Sequence, residues 1–80
     1  MKADIRPGMI VHTIEPMLKQ NGSFEYKQIQ PMDRFLVLEV EDSLFIENRK
    51  TIEAANERIG TFVFDEDEVV PCERKMRKPY

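Results

Sequence analysis

Few side chains in this 80-residue chain could do chemistry, and they are scattered. His12 is the only histidine, and it lies between Val11 and Thr13 in an apolar stretch. A metal site around His12 would need carboxylates from distant parts of the chain, because no second histidine or cysteine lies nearby in the sequence. We therefore interpret His12 as a residue on a sheet face, and we expect no metal site.

Cys72 is the only cysteine. A thiol becomes reactive where positive charge stabilises the thiolate, and Arg74 and Lys75 follow closely. Packing of a small side chain at a strand end is the simpler interpretation. A single cysteine cannot form an internal disulfide, whereas small secreted domains usually carry several. We therefore expect a cytoplasmic location.

The acidic side chains are concentrated in the middle of the chain. The net charge is −3, and residues 31–72 alone carry −7, against +1 for residues 1–30 and +3 for residues 73–80. The run from Asp65 to Glu68 lacks the alternating ligands and the glycine of a calcium loop. We interpret the carboxylates as a solvated acidic face. The functional alternative is docking on a basic protein surface, where complementary charge raises association rates.

The basic side chains are concentrated at the C-terminal end. Residues 74–80 have no apolar periodicity and are predicted to form a mobile tail. Its four cations, Arg74, Lys75, Arg77 and Lys78, could contact phosphates and give weak, salt-sensitive nucleic-acid binding. A tail that only keeps the protein soluble is the alternative. Since no catalytic constellation and no glycine-rich phosphate loop occur, we expect neither an enzyme nor a bound cofactor.

Short strands are the elements that must position these groups. A strand is predicted at residues 9–14, and a protruding hairpin at residues 17–26. The tip of the hairpin is placed at Asn21-Gly22, because both residues accept the positive φ of a tight turn. The best strand signal covers residues 34–40. It is followed by a predicted turn at Glu41-Asp42-Ser43 and a partner strand at residues 44–47.

Residues 50–59 have a different composition. Alanine and glutamate favour helix, and Ile52, Ala55 and Ile59 fall at helical spacing. The pattern predicts one short helix or helical turn near residues 51–59, with an irregular hairpin loop as the alternative. Strands are predicted again at residues 61–64 and 69–72. The core is expected to contain Leu36, Leu38, Val40, Ile46, Phe62 and Phe64.

The order of these elements resembles that of an SH3-like barrel. The segments that carry the resemblance are Gly8-Met9-Ile10-Val11, residues 33–40, Gly60-Thr61-Phe62-Val63-Phe64 and Asp67-Glu68-Val69-Val70. They span most of residues 8–72 and are similar to small SH3-like proteins of bacteria and their phages. The resemblance implies a mainly β fold, a barrel of five to six short strands in one domain over residues 1–73. It does not imply binding of proline-rich peptides, because the chain lacks the groove tryptophan of eukaryotic signalling SH3 domains.

We therefore expect a non-catalytic protein-interaction module. By analogy of fold and size, it would be a phage accessory protein that modulates a host protein. The predicted partner-binding residues are Leu18, Phe24, Tyr26, Glu41 and Asp42, because the two loops that carry them flank one surface of an SH3-like barrel. The open alternative is that Phe24 and Tyr26 cover one end of the barrel as a lid. The second function considered is a nucleic-acid-associated module that uses the basic tail. No apolar stretch approaches the ~20 residues that span a bilayer, so no membrane partner is expected.

Overall fold

The computed structural model describes residues 4–44 and 47–72, and these residues form a mainly β structure. Within them the chain makes seven strands and no helix: β1 (Ile10–Thr13), β2 (Met17–Gln20), β3 (Tyr26–Ile29), β4 (Phe35–Asp42), β5 (Lys50–Asn56), β6 (Gly60–Asp65) and β7 (Val69–Pro71). The predicted fold class is confirmed. Two predicted segments lie outside the described residues. They are the basic tail at residues 74–80 and the middle of the predicted strand 44–47, residues 45–46, which include the predicted core residue Ile46.

The seven strands form two antiparallel sheets. The larger sheet has the strand order β6-β5-β4-β1-β7, and β2 pairs with β3 in a separate two-stranded sheet. Strands β4, β5 and β6 follow one another as a meander, while β1 lies between β4 and β7. The larger sheet ends at β6 on one side and at β7 on the other, and its closure into an SH3-like barrel stays a prediction.

Residues 50–56 form a strand, so the predicted helix near residues 51–59 is wrong. Ala54 pairs with Val37 of β4 on one side and with Phe62 of β6 on the other. Pairing on both sides buries Ala54 and Ile52, and this tertiary gain outweighs the weak local preference for helix. The alternative of a hairpin loop fits residues 57–59, which connect β5 to β6.

The buried face of β4 is the opposite of the predicted one. Phe35 and Val37 are fully buried, whereas Leu36 and Leu38 are 43% and 42% exposed. A β-bulge between Val37 and Glu39 then shifts the alternation. As a result Val40 returns to the core side, where it is partly buried.

The predicted turn at Glu41-Asp42-Ser43 is also wrong. Glu41 and Asp42 continue β4 and pair with Thr51 and Lys50 of β5. The connection between the two strands therefore begins only at Ser43, whose N–H donates to the Arg49 carbonyl at 2.9 Å.

Three phenylalanine rings form the centre of the core. The Phe35 ring lies edge-on to the rings of Phe62 and Phe64, with centroid distances of 5.7 Å and 5.2 Å. Each such pair contributes about 0.5–1.5 kcal/mol beyond the burial of its area. Phe62 and Phe64 are buried as predicted. The full set of buried apolar residues is Val11, Ile29, Phe35, Val37, Ile52, Ala54, Ile59, Phe62, Phe64 and Val69.

Candidate protein-interaction site

The β2–β3 hairpin has one buried and one exposed face. Its strands pair with Met17 opposite Ile29 and with Leu18 opposite Gln28. Ile29 is buried in the core, and Met17 packs against it. Side chains alternate along a strand, so the neighbouring positions face solvent, where Leu18 is 64% and Tyr26 is 67% exposed. The hairpin is therefore anchored by its inner face and presents apolar groups on its outer face.

Leu18 and Tyr26 belong to one patch. Tyr26 pairs with Gln20, two positions along β2 from Leu18. Diagonal neighbours of this kind lie roughly 7–8 Å apart or closer, within reach of an aromatic side chain. The outward positions on the two strands, Leu18, Gln20, Tyr26 and Gln28, carry no charge.

The hairpin contacts the edge strand β6 at two points. The Lys19 Nζ donates to the Val63 carbonyl at 3.1 Å and lies 3.3 Å from Glu68 Oε1. The same ammonium lies 5.5 Å from the centroid of the Phe64 ring, a cation–π distance. Nearer the tip, the Gly22 N–H donates to the Thr61 carbonyl at 2.9 Å. These contacts fix the position of the hairpin against the larger sheet.

The hairpin loop is longer than the two-residue turn that Asn21-Gly22 predicts. It covers residues 21–25 and is closed by the Asn21 N–H, which donates to the Glu25 carbonyl at 2.8 Å. The Asn21 Oδ1 accepts the N–H groups of Ser23 and Glu25 at 2.9 Å and 3.0 Å. A side-chain oxygen of asparagine can replace a backbone acceptor in this way, and here it shapes the whole loop.

The Asn21 side chain also joins the loop to the rest of the fold. It is 9% exposed, and its Nδ2 donates to the Ile59 carbonyl at 2.8 Å. Ile59 belongs to the turn between β5 and β6, in which Asn56 Oδ1 accepts the N–H groups of Arg58 and Ile59. One buried amide therefore couples the hairpin loop to the β5–β6 turn.

Phe24 lies in this loop with an unusual backbone conformation. Its φ is 64°, in the left-handed region that bulky residues rarely adopt, and its side chain is 82% exposed. Its N–H donates to the Asn21 carbonyl at 3.0 Å, and its carbonyl accepts from the Gln20 Nε2 at 3.3 Å. The backbone is thus held on both sides while the ring projects into solvent. Exposure at Phe24 and Tyr26 excludes the lid interpretation.

Glu41 and Asp42 lie far from the loop of the hairpin. The hairpin loop contacts the β5–β6 turn, next to Asn56, whereas Asp42 pairs with Lys50 at the other end of β5. The two ends of β5, Lys50 and Asn56, are six residue steps apart, which is about 20 Å at ~3.3 Å per residue. The hairpin loop and Asp42 therefore lie near opposite ends of β5.

Asp42 instead forms a surface ion pair. Its Oδ1 accepts from the Lys50 Nζ at 2.9 Å, and this hydrogen bond raises the pKa of Lys50 above its ordinary value. Similarly, a hydrogen bond to Asp65 raises the pKa of Arg49. Both cations at this end of the sheet, Arg49 and Lys50, are therefore paired with carboxylates.

Sequence reasoning missed a second apolar surface on the outer face of the larger sheet. Ile10 and Leu36 form a cross-strand pair there, and with Ala55 they line a groove of about 400 Å³. Arg34 and Arg58 border this groove. The signal was available, because β4 is apolar on both faces and only one face could be buried.

The residues with potential chemistry are spread over separate places. The His12 Nδ1 lies 2.9 Å from the Thr13 carbonyl oxygen, and the Arg34 Nη1 donates to Cys72 Sγ at 2.9 Å. Among residues 4–44 and 47–72, no three His, Cys, Asp or Glu side chains are grouped so that they could hold a metal ion. The basic side chains Arg74, Lys75, Arg77 and Lys78 lie outside the described residues.

No helix in the described parts of the chain is long and apolar enough to cross a membrane. Comparison with models of protein families, with curated protein sequences and with solved structures finds no match to this chain. The candidate site therefore depends on the geometry of the hairpin alone.

Proposed function

We propose that this protein is a non-catalytic interaction module that binds another protein through the outer face of its hairpin. Phe24 is the anchor in the loop at the tip of the hairpin, and Leu18 and Tyr26 lie on its two strands. The observation that carries the proposal is the conformation of Phe24, an aromatic residue that is 82% exposed at a φ of 64°. Strained backbone persists where the surrounding structure enforces it, and such positions cluster at binding sites.

The loop also meets the physical requirements of an interface centre. Binding is strong where aromatic anchors enter a desolvated pocket of the partner. Affinity rises when the anchor needs little ordering on binding, and the hydrogen bonds of Asn21 already order this loop. The uncharged outward positions of the hairpin favour a partner with an apolar pocket and polar, uncharged rim groups.

The identity of the partner is a further part of the proposal. The resemblance to small SH3-like proteins of phages points to a phage accessory protein in the cytoplasm of its host, where the partner is a host protein. The acidic middle of the chain adds long-range attraction to a basic surface.

The test is affinity capture from a bacterial lysate, in which three forms of the full chain serve as bait: wild type, Phe24→Ala and Leu44→Ala. The proteins that each form captures are then compared. Leu44 is a matched control, because it is also a large apolar residue and is 91% exposed outside the hairpin. The partner should be captured by wild type and Leu44→Ala and lost with Phe24→Ala. Tyr26→Ala and Leu18→Ala should then weaken binding by about tenfold each, an effect worth ~1.4 kcal/mol.

Melting temperatures distinguish an interface from a structural role. Phe24→Ala should bind poorly while it melts close to wild type. Full binding by Phe24→Ala, or an equal loss with Leu44→Ala, would contradict the proposal. Binding through the hairpin should weaken only moderately as salt screens the acidic attraction, whereas nucleic-acid binding by the basic tail would fall steeply as salt rises.

A further inference from the structure

The dipeptide Asn21-Gly22 combines an interior contact with an intrinsic chemical lability. Asparagine is a thermolabile residue, because the backbone nitrogen of the next residue can attack its side-chain carbonyl carbon. Glycine is the most permissive next residue, since it has no Cβ to hinder that approach. This sequence occurs once in the chain.

The reaction conserves all atoms and needs no oxidant or reductant. The Gly22 nitrogen loses its proton and forms a bond to Asn21 Cγ, and the bond from Cγ to Nδ2 breaks. Ammonia leaves with that proton, and a five-membered cyclic imide remains. Water then opens the imide at either carbonyl, so residue 21 becomes aspartate or isoaspartate.

The folded loop holds both reacting groups in place. The Gly22 N–H donates to the Thr61 carbonyl at 2.9 Å, which opposes loss of its proton. The Asn21 carboxamide is held by the Ser23 and Glu25 N–H groups at Oδ1 and by the Ile59 carbonyl at Nδ2. Attack requires the carboxamide to turn toward the Gly22 nitrogen, so these hydrogen bonds must first open.

Gly60 makes this close contact possible. Its φ is 109°, and a Cβ at this position would lie 2.9 Å from the Asn21 Nδ2. A larger residue would therefore be strained and would also displace the Asn21 amide. By contrast, a Cβ on Gly22 would meet the Thr61 carbonyl oxygen at 3.8 Å, an ordinary contact distance.

We propose that Asn21-Gly22 is a deamidation site that is controlled by release of the hairpin loop from the β5–β6 turn, and that the reaction prevents the loop from docking again. The product carboxylate has lost the N–H groups that donate to the Ile59 carbonyl. It also faces Glu25, whose Oε1 lies 3.5 Å from the Asn21 Nδ2. Attraction at this contact therefore becomes repulsion. The proposal stands apart from the interaction function, because its readouts need no partner.

The first test measures deamidation at residue 21 by peptide mass spectrometry during incubation of the full chain at mildly alkaline pH. The native protein should react at least ~10-fold more slowly than the same chain in urea, which corresponds to an opening cost of about 1.4 kcal/mol or more. Equal rates in the folded and unfolded chain would overturn the proposed protection.

Two variants open the contact, and one blocks the chemistry. Gly60→Ala should raise the native rate toward the unfolded rate. Lys19→Ala, which removes the hydrogen bond to the Val63 carbonyl, should raise it less and serves if Gly60→Ala does not fold. The matched control Gly22→Ala should keep the fold and react slowly in both states. A native rate that neither opening variant changes would contradict control by loop release.

The second test measures the consequence with Asn21→Asp, which reproduces one product. Hydrogen exchange of the Gly22 amide should be at least ~10-fold faster than in wild type at equal pH, because its hydrogen bond to Thr61 forms only in the docked loop. Unchanged protection of this amide would overturn the proposed loss of docking.

Discussion

Replacement of Phe24 by glycine should stabilise the fold while it removes the proposed binding surface. Most apolar-to-glycine changes destabilise, because glycine gains freedom in the unfolded chain. Phe24 is different, since its φ of 64° is one that glycine adopts without strain. The substitution therefore separates the conformational cost of the position from the contribution of its ring.

The expected change in the free energy of unfolding has two contributions, the loss of the ring and the relief of backbone strain. Full burial of a phenylalanine contributes about 1.5–3 kcal/mol, and Phe24 is 82% exposed, so loss of the ring should cost roughly 0.5 kcal/mol. A left-handed φ costs an L-residue about 1–2 kcal/mol, and part of this gain is offset by the entropy of glycine. Phe24→Ala loses the ring but keeps the strain, whereas Phe24→Gly loses both. The glycine variant should therefore be about 1 kcal/mol more stable than the alanine variant.

Urea titration and thermal melting of both variants measure this difference directly. For a domain of this size, ~1 kcal/mol corresponds to roughly 4–8 °C in Tm. Both variants should lose the partner to the same extent, because the ring is absent from both. A glycine variant that is no more stable than the alanine variant would refute the claim that the fold holds Phe24 under strain.

Three further predictions test the core and the surface charges. Phe35→Ala should cost ~3–5 kcal/mol or unfold the protein, whereas Leu38→Ala should cost only about 1 kcal/mol; a larger effect at Leu38 in urea titration would reverse the assigned face of β4. Among the described residues, the buried Thr13 hydroxyl has no hydrogen-bond partner, so Thr13→Val should raise the free energy of unfolding by about 1 kcal/mol, and a lower urea midpoint would contradict this. The Asp42 hydrogen bond raises the pKa of Lys50 above 10.5, so the contribution of Lys50 is full below that pH and is lost as pH rises through the raised pKa. The difference in urea midpoint between wild type and Lys50→Met should therefore shrink at strongly alkaline pH, and a constant difference would exclude this ion pair as its source.

Turn signals and β-rich segments made the mainly β class and the hairpin predictable. The buried face of β4 was not, because residues on both faces of this strand are apolar. Alternation assigns a face only where one side is polar. The bulge after Val37 shifts the alternation of buried and exposed side chains by one residue, and no local sequence feature predicts this bulge. Burial of Phe35 rather than Leu36 is decided by the packing of Phe62 and Phe64 from a distant strand.

The helix prediction for residues 50–59 was wrong for a different reason. Helical spacing of Ile52, Ala55 and Ile59 is real, but Ile52 and Ala54 also alternate as a strand. A helix at the surface would bury one face against a single neighbour, whereas β5 is paired on both sides by β4 and β6. Pairing on both sides depends on strands that lie elsewhere in the sequence, and it outweighs the weak local preference of these residues for helix.

The candidate site was partly predictable for a related reason. Exposed apolar groups on a short hairpin follow from the sequence, since such a hairpin has little core to cover, and Leu18 and Tyr26 are exposed for this reason. The position of Glu41 and Asp42 relative to the hairpin depends on how far β4 continues. Because β4 extends to Asp42, the second loop of the predicted site begins about 20 Å from the hairpin loop.

Asn21 explains why the tip of the hairpin differs from its prediction and why Phe24 is presented to solvent. Asparagine before glycine favours a two-residue turn when its side chain is free. Here the side chain is buried, and its Oδ1 takes the N–H groups of Ser23 and Glu25. A longer loop is then required, and Phe24 occupies its left-handed position. The buried contact with Ile59 thus determines which residue projects from the tip, so the proposed interaction surface is specified by the β5–β6 turn as much as by the hairpin itself.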